Sequence, residues 1–224
     1  MQDKFAPERR RMLDAIARDA VETSHYLGRN HLSPAVIDAL ETVPRHEFVP
    51  ENMQAAAYEN RPLPIGRGQT ISQPFIVAIM TELANLSPQS RVLEIGTGCG
   101  YQAAVLAQIA AKVVTIERIA SLANEAKARL KRLGCGNITV LHGDGGKGWP
   151  AEAPYDAILV TAAAAELPTA LLDQLRPGGR MVIPLGRQGM TQSLTVMEKD
   201  AETGAIHESC NLPVAFVPLL GGID

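Results

Sequence analysis

The residues of this chain that could do chemistry collect in three runs. The first is Glu94-Ile95-Gly96-Thr97-Gly98-Cys99-Gly100-Tyr101, an acid and alternating glycines directly behind an apolar strand pattern at 91–95. Glycines at the carboxyl end of a strand let the backbone turn sharply and approach a ligand without Cβ clashes. Dinucleotide sites favour glycine at the first, third and sixth positions. Here Gly100 is the fifth and Tyr101 the sixth, so the spacing favours S-adenosylmethionine, the other nucleoside-type ligand of such loops. Gly96, Thr97, Gly98 and Gly100 are therefore the expected cofactor loop. Glu94 is placed to orient that loop or to meet an ammonium group, directly or through water.

The second run lies at the following strand ends. Glu117 closes the next apolar strand, with Arg118 beside it, about twenty residues beyond the glycines. A carboxylate there can accept hydrogen bonds from both ribose hydroxyls; the plain alternative is a solvated strand-end acid. Gly143-Asp144-Gly145 ends the third strand, where Asp144 and the Gly145 N–H could read an adenine edge. The same triplet also makes an ordinary turn. The third run is LPIGRGQTISQP at 63–74, two glycines, two amides and two hydroxyls ahead of a helical pattern. Physically, Ser72 reads first as an N-cap, with Pro74 in the first turn. No Gly-x-Ser-x-Gly elbow makes it a nucleophile. Capping and ligand binding are compatible, because a helix N-terminus favours a bound carboxylate. Cys99 has no base near it in sequence and is expected to pack beside the cofactor.

The elements that must position these runs follow from periodicity. Residues 8–27 carry a helical apolar stripe stopped by Gly28, and Ser33-Pro34 opens a second helix to about 42. Residues 43–74 hold five prolines and no sustained period, the mark of a long functional loop. From 75 onward helix and strand alternate: helix 75–86, strand 91–95, helix 101–110, strand 113–116, helix 121–133, strand 138–142, strand 155–160, a short helix from 168 and strand 180–185. Two further strands, 193–198 and 212–217, flank a turn at Thr203-Gly204. Such strand–helix–strand units predict an α/β fold: a Rossmann-like, doubly wound, mostly parallel sheet of about seven strands. The last strands should add an antiparallel edge. Residues 1–74 are expected to form an N-terminal helical cover carrying the substrate and cofactor loop, and 75–224 the cofactor-binding core, within one structural domain.

Composition sets limits. In 224 residues the hydrophobic share is 46%, enough for a sizeable core, and the formal net charge of −3 gives no bulk attraction to nucleic acid or to anionic membrane. The start lacks the apolar core of a signal peptide, and three unpaired cysteines suit reduced thiols, so a cytoplasmic location is expected. The five histidines form no metal-ligand spacing, so no metal is expected. Apart from the apolar loop, no surface patch identifies a protein partner; a monomer is expected.

At this point the chain resembles a known family. LPIGRGQTISQP looks like the hallmark loop of the protein-L-isoaspartate O-methyltransferases, class I S-adenosylmethionine-dependent enzymes. The likeness extends through PRHEFVP at 44–50, YEN at 58–60, VLEIGTGCGYQAAVLA at 92–107 and IER at 116–118. It continues through GDGGKGW at 143–149, APYDAILVTAAA at 153–164, QLRPGGRMVIPLG at 174–186 and FVPLLGG at 216–222. The resemblance implies methyl transfer from S-adenosylmethionine, leaving S-adenosyl-L-homocysteine, to the α-carboxyl of L-isoaspartyl residues in damaged proteins and peptides. The ester then leaves through a succinimide that hydrolyses partly to aspartate. It implies Ser72 as the active-site serine, with Gln69, Thr70 and Ile71 in the same substrate–cofactor loop. Cys99 departs from the serine common in bacterial members, and Phe75-Ile76 lacks the histidine of some animal relatives. A carboxylate acceptor is already ionised at neutral pH, which accounts for the lack of an acid–base pair. A dehydrogenase is the alternative from another class, but the tail after Gly186 is short for a nicotinamide-side subdomain.

Overall fold

The computed structural model describes residues 3–223. Helix α1 (Ala6–Glu22) buries Met12, Leu13, Ile16 and Ala20, a stripe at helical spacing. The expected single helix is broken at Thr23, whose hydroxyl bonds back to the Asp19 carbonyl at 2.7 Å. One more turn, α2 (Ser24–Leu27), ends at the left-handed Gly28, where φ is 66°. Helix α3 (Pro34–Thr42) starts after Ser33 as expected. The Ser33 amide and hydroxyl, however, both donate to Glu82, at 2.9 and 2.8 Å, and tie the loop to a later helix.

Residues 43–74 hold more structure than their prolines suggest. Two 3₁₀ turns (Arg45–Phe48 and Glu51–Ala56) precede a hairpin of β1 (Leu63–Gly66) and β2 (Gln69–Ile71). Strands of four and three residues, one containing Pro64, are too short to leave a period in the sequence. Helix α4 (Pro74–Leu83) follows directly.

The main sheet has seven strands: β3 (Arg91–Ile95), β4 (Lys112–Glu117), β5 (Ile138–His142), β6 (Tyr155–Val160), β7 (Leu175–Leu185), β8 (Gln192–Lys199) and β9 (Ile206–Val214). Their spatial order is β5-β4-β3-β6-β7-β8-β9, parallel through β7 and antiparallel beyond it. The doubly wound α/β expectation therefore holds, including the antiparallel edge. The chain steps outward from β3 to β5, then returns to β6 on the other side, so a crevice opens above the carboxyl end of β3. The expected boundaries shift most at β9, which starts at Ile206, and at β7, which runs through Pro177-Gly178-Gly179 with an irregular register against β6.

Strand alternation divides the core. Val92, Val113, Ala157, Leu159 and Val182 face α4, α5 (Tyr101–Ala107) and the buried stripe of α1 in one continuous apolar cluster. Leu93, Ile95, Val114, Ile116 and Ile158 face the opposite side, with Leu171 of α7 (Thr169–Asp173). Helix α6 (Ala120–Arg132) adds Leu130 to the first cluster. The N-terminal helices are thus bound to the sheet by shared apolar burial.

Candidate active site

The three runs meet above β3. One cavity, enclosing about 860 Å³ with its mouth included, is lined by Gln69, Thr70, Ile71 and Ser72 from the hairpin side. Gly96, Thr97 and Gly98 form its floor, Glu117 and Arg118 one wall, and Gly145 the far end. Glu94, Gly100 and Asp144 stand behind this lining.

Gly96 has φ of +97°, and its N–H bonds to the Ile116 carbonyl at 2.8 Å. A Cβ there would meet Thr161 Oγ1 at 2.5 Å. That hydroxyl lies 3.0 Å from the Ile95 carbonyl and 2.7 Å from the Gly96 carbonyl, so the loop is buttressed from the end of β6. Glu117 is 6% exposed, which excludes a freely solvated acid. Its carboxylate accepts from the Gly98 N–H at 2.8 Å and the Ile119 N–H at 3.0 Å. A carboxylate offers about four acceptor positions, so two remain for a pair of hydroxyls. A fixed strand-end carboxylate, a glycine floor and a backbone approach at Gly145 together fit the nucleoside part of S-adenosylmethionine.

Glu94 lies directly opposite Thr115 in the parallel pairing and is fully buried. Its Oε2 accepts from Thr115 Oγ1 at 2.5 Å, and Thr115 in turn meets the Thr97 hydroxyl at 2.7 Å. Its Oε1 has no hydrogen-bond partner among the described residues. Burial pushes the Glu94 carboxyl up to about 8; the Thr115 bond pulls it down and the Glu117 charge pushes it further up. Gly100 opens α5 in the left-handed region, and a Cβ on it would press on Leu130 at 3.1 Å. Asp144 accepts from the Gly146 and Gly222 N–H groups at 3.0 and 3.1 Å, which engages both its oxygens. Cys99 lines the cavity, with burial raising its thiol pKa, as suits a packing residue.

The N-cap expectation for Ser72 is corrected. The N-cap of α4 is Gln73, because Pro74 occupies the first helical position, and the side chain of Asn60 takes the Phe75 N–H at 3.0 Å. The Ser72 hydroxyl is thereby left at the cavity without a hydrogen-bond partner among the described residues. Two parts of the lining carried no assignment in the sequence. Thr161 and Ala162 follow β6, and residues 217–220 cross the mouth, held by Ala163 N to Val217 O at 2.8 Å and Leu219 N to Ala163 O at 2.7 Å. Both lie in the motif runs quoted above, but Ala162 and residues 217–220 contribute backbone and apolar surface, and the Thr161 hydroxyl acts only on main-chain carbonyls of another strand, so neither leaves a local chemical signature. Among the described residues no group of three or more His, Cys, Asp or Glu could hold a metal ion.

This sheet and strand-end site define a Rossmann-like S-adenosylmethionine-dependent methyltransferase. The family model for protein-L-isoaspartate(D-aspartate) O-methyltransferase matches residues 22–224, and the chain belongs to that family. It is 54% identical to protein-L-isoaspartate O-methyltransferase 2 of Syntrophobacter fumaroxidans, covering 98% of this chain and 89% of the relative. It is 53% identical to protein-L-isoaspartate O-methyltransferase 1 of Cupriavidus necator, covering 98% and 84%. Among solved structures, a protein-L-isoaspartate O-methyltransferase superposes with a TM-score of 0.81 at 28% identity, over 96% of this chain and 67% of that one. A Plasmodium falciparum structure, described as a member of the same family in complex with S-adenosyl-L-homocysteine, gives 0.73 at 27%, over 91% and 98%.

Proposed function

We propose that this site transfers the methyl group of S-adenosylmethionine to the α-carboxylate of L-isoaspartyl residues in damaged proteins and peptides, with Ser72 orienting the acceptor. The observation that carries this reading is the unpartnered Ser72 hydroxyl, which shares one cavity with the glycine loop. When bound, S-adenosylmethionine supplies an electrophilic methyl on a cationic sulfonium. Glu117, the backbone of Gly96 to Gly98, and Gly145 hold its nucleoside, with Arg118 at the wall and Thr97 linking the floor to Glu94. Gln69, Thr70 and Ile71 close the cavity from one side, and residues 217–220 close it from the other. An ionised acceptor needs no base, and the charges of acceptor and donor cancel as the methyl moves. Excluding water and aligning the acceptor are therefore the main tasks left to the protein. Ser72 donates one hydrogen bond to the acceptor oxygen that does not attack, and forms no covalent bond.

We further propose that residues 1–74 act as a cover on the core, and that the protein works as a monomer in the cytoplasm on protein rather than nucleic-acid or membrane substrates. The shared apolar cluster and the net charge of −3 support this. So does the lack, among the described residues, of a helix long and apolar enough to cross a membrane.

The test pairs labelled S-adenosylmethionine with matched peptides containing aspartate or isoaspartate. Base-labile label is expected on the isoaspartyl peptide only; equal labelling of both overturns the reading. Ser72→Ala should lower kcat/KM about 10- to 100-fold, the worth of a hydrogen bond to a charged group. Its affinity for S-adenosyl-L-homocysteine should stay within about twofold of wild type, below half a kcal/mol. Wild-type turnover by that variant refutes the serine's role.

A further inference from the structure

Arg45 is among the largest fully buried side chains of the protein, with no exposure to solvent. It opens the first 3₁₀ turn, and its two hydrogen bonds of good geometry go to main-chain carbonyls, with the Tyr101 hydroxyl a weaker neighbour. Nε donates to Ala57 O at 2.8 Å and Nη2 to Ser72 O at 2.7 Å. The guanidinium lies over the ring of Tyr101, 4.7 Å from its centroid. Nη1 makes no hydrogen bond of good geometry, and neither does the Tyr101 hydroxyl, which is also buried. Tyr58 and Cys99 are its other polar neighbours, and burial raises the pKa of both. No carboxylate of the described residues pairs with it: the ion pairs of Glu47 run to His46 and Arg132 instead.

This is an unusual arrangement energetically. A buried cation without a counter-ion carries a desolvation penalty of several kcal/mol that carbonyl dipoles offset only in part. An arginine does not escape it by losing a proton. Yet the charge sits one carbonyl behind the residue whose hydroxyl faces the acceptor, and the ring beneath it lines the same cavity.

We propose that Arg45 is a positioning residue for the acceptor: it fixes the backbone at Ser72 and holds behind it a buried positive charge that the incoming α-carboxylate answers. The inference rests on the functional reading above and deepens it. An anionic acceptor is drawn in by a charge it does not touch, and the neutral methyl ester formed there loses that attraction and leaves. Selection against an α-carboxamide or an ester then belongs to Arg45 as much as to Ser72.

The test uses the full-length enzyme, with Arg45→Met removing the charge at similar length and Arg45→Lys retaining it. Acceptor KM and kcat are measured beside the affinity for S-adenosyl-L-homocysteine. Arg45→Met is expected to raise the acceptor KM tenfold or more with that affinity unchanged within about twofold. Arg45→Lys should recover most of the KM but keep kcat lowered several-fold, since an ammonium cannot hold both carbonyls in the fork geometry of a guanidinium. An Arg45→Met enzyme that melts earlier yet has wild-type KM, or that loses acceptor and S-adenosyl-L-homocysteine binding in parallel, overturns the proposal.

Should Arg45→Met not fold, the lysine variant and a second measurement decide. Wild type should bind an isoaspartyl peptide at least tenfold tighter than its α-carboxamide analogue, and Arg45→Lys should keep that preference. Equal binding of the two peptides by wild type overturns the charge role. Failure of the functional reading itself looks different: the wild-type enzyme then methylates no isoaspartyl peptide at all.

Discussion

Gly96→Ala is expected to lower affinity for S-adenosyl-L-homocysteine about a hundredfold and to bring the thermal midpoint down by roughly 10 °C. Two costs add at this position. At φ of +97° an L-residue is strained by about 1–3 kcal/mol. The new Cβ would also lie 2.5 Å from Thr161 Oγ1, so that hydroxyl must leave the Ile95 and Gly96 carbonyls, at about 1 kcal/mol for the one proton they share. For a chain of this length each kcal/mol shifts the midpoint by about 2–4 °C. Gly134→Ala supplies the comparison, because its φ is +76° but no atom stands within 4 Å of its Cβ position. It should show the backbone cost alone, with cofactor affinity unchanged. Calorimetric titration and melting of both variants make the check. If Gly96→Ala binds like wild type and melts like Gly134→Ala, the close approach of loop and β6 has no functional weight.

That contrast shows what the sequence could and could not convey. Gly96, Gly98, Glu117 and the Ser72 loop were legible because strand-end glycines and acids are local patterns with few alternative uses. The mostly parallel sheet with its antiparallel edge followed from alternation of helix and strand, whereas the order of its last strands did not. What escaped depends on partners far along the chain. The cap of α4 is supplied by Asn60, fifteen residues before the amide it accepts from, so Ser72 looked like a cap and is not one. The break between α1 and α2 turns on one Thr23 hydroxyl choosing a carbonyl over solvent. Arg45 reads as an ordinary charged loop residue until Ala57, Ser72 and Tyr101 close around it. Thr161 acts through a hydroxyl on the Ile95 and Gly96 carbonyls, a contact that exists only once β6 lies beside β3, and the segment at 217–220 supplies backbone and apolar surface. Glu94 was legible as an acid just before the glycines, but its protonation is set by burial under elements distant in sequence, against which the Thr115 bond on the neighbouring strand pulls.

The protonation of Glu94 has a measurable consequence: raising the pH should destabilise the free enzyme, and Glu94→Gln should remove that part of the slope. An ordinary glutamate ionises near 4.5, whereas burial holds Glu94 up to about 8. Between those values the folded protein keeps a proton that the unfolded chain has released. The unfolded state therefore binds fewer protons, and stability falls as pH rises through the window. One such group changes stability by at most about 1.4 kcal/mol per pH unit, or about 3 kcal/mol by pH 7. His46 acts with the opposite sign, since burial holds it below its ordinary 6.5 and stability from that group grows as pH rises toward that value. Subtracting the Glu94→Gln curve from wild type cancels this and the other groups, leaving a difference that grows from pH 5 to 8 and is flat beyond. The same proton should report on the site. If Glu94 answers the ammonium group of S-adenosyl-L-homocysteine, binding near pH 7 favours the ionised form and releases a proton, and affinity rises with pH until about 8. Titration calorimetry in two buffers of different ionisation heat measures that release, which should vanish in Glu94→Gln. Parallel stability curves for the two proteins, with no proton released by wild type, would mean that Glu94 is already ionised in the free enzyme. Its unpartnered Oε1 would then need a cation or a water in the free enzyme, rather than a proton, to balance it.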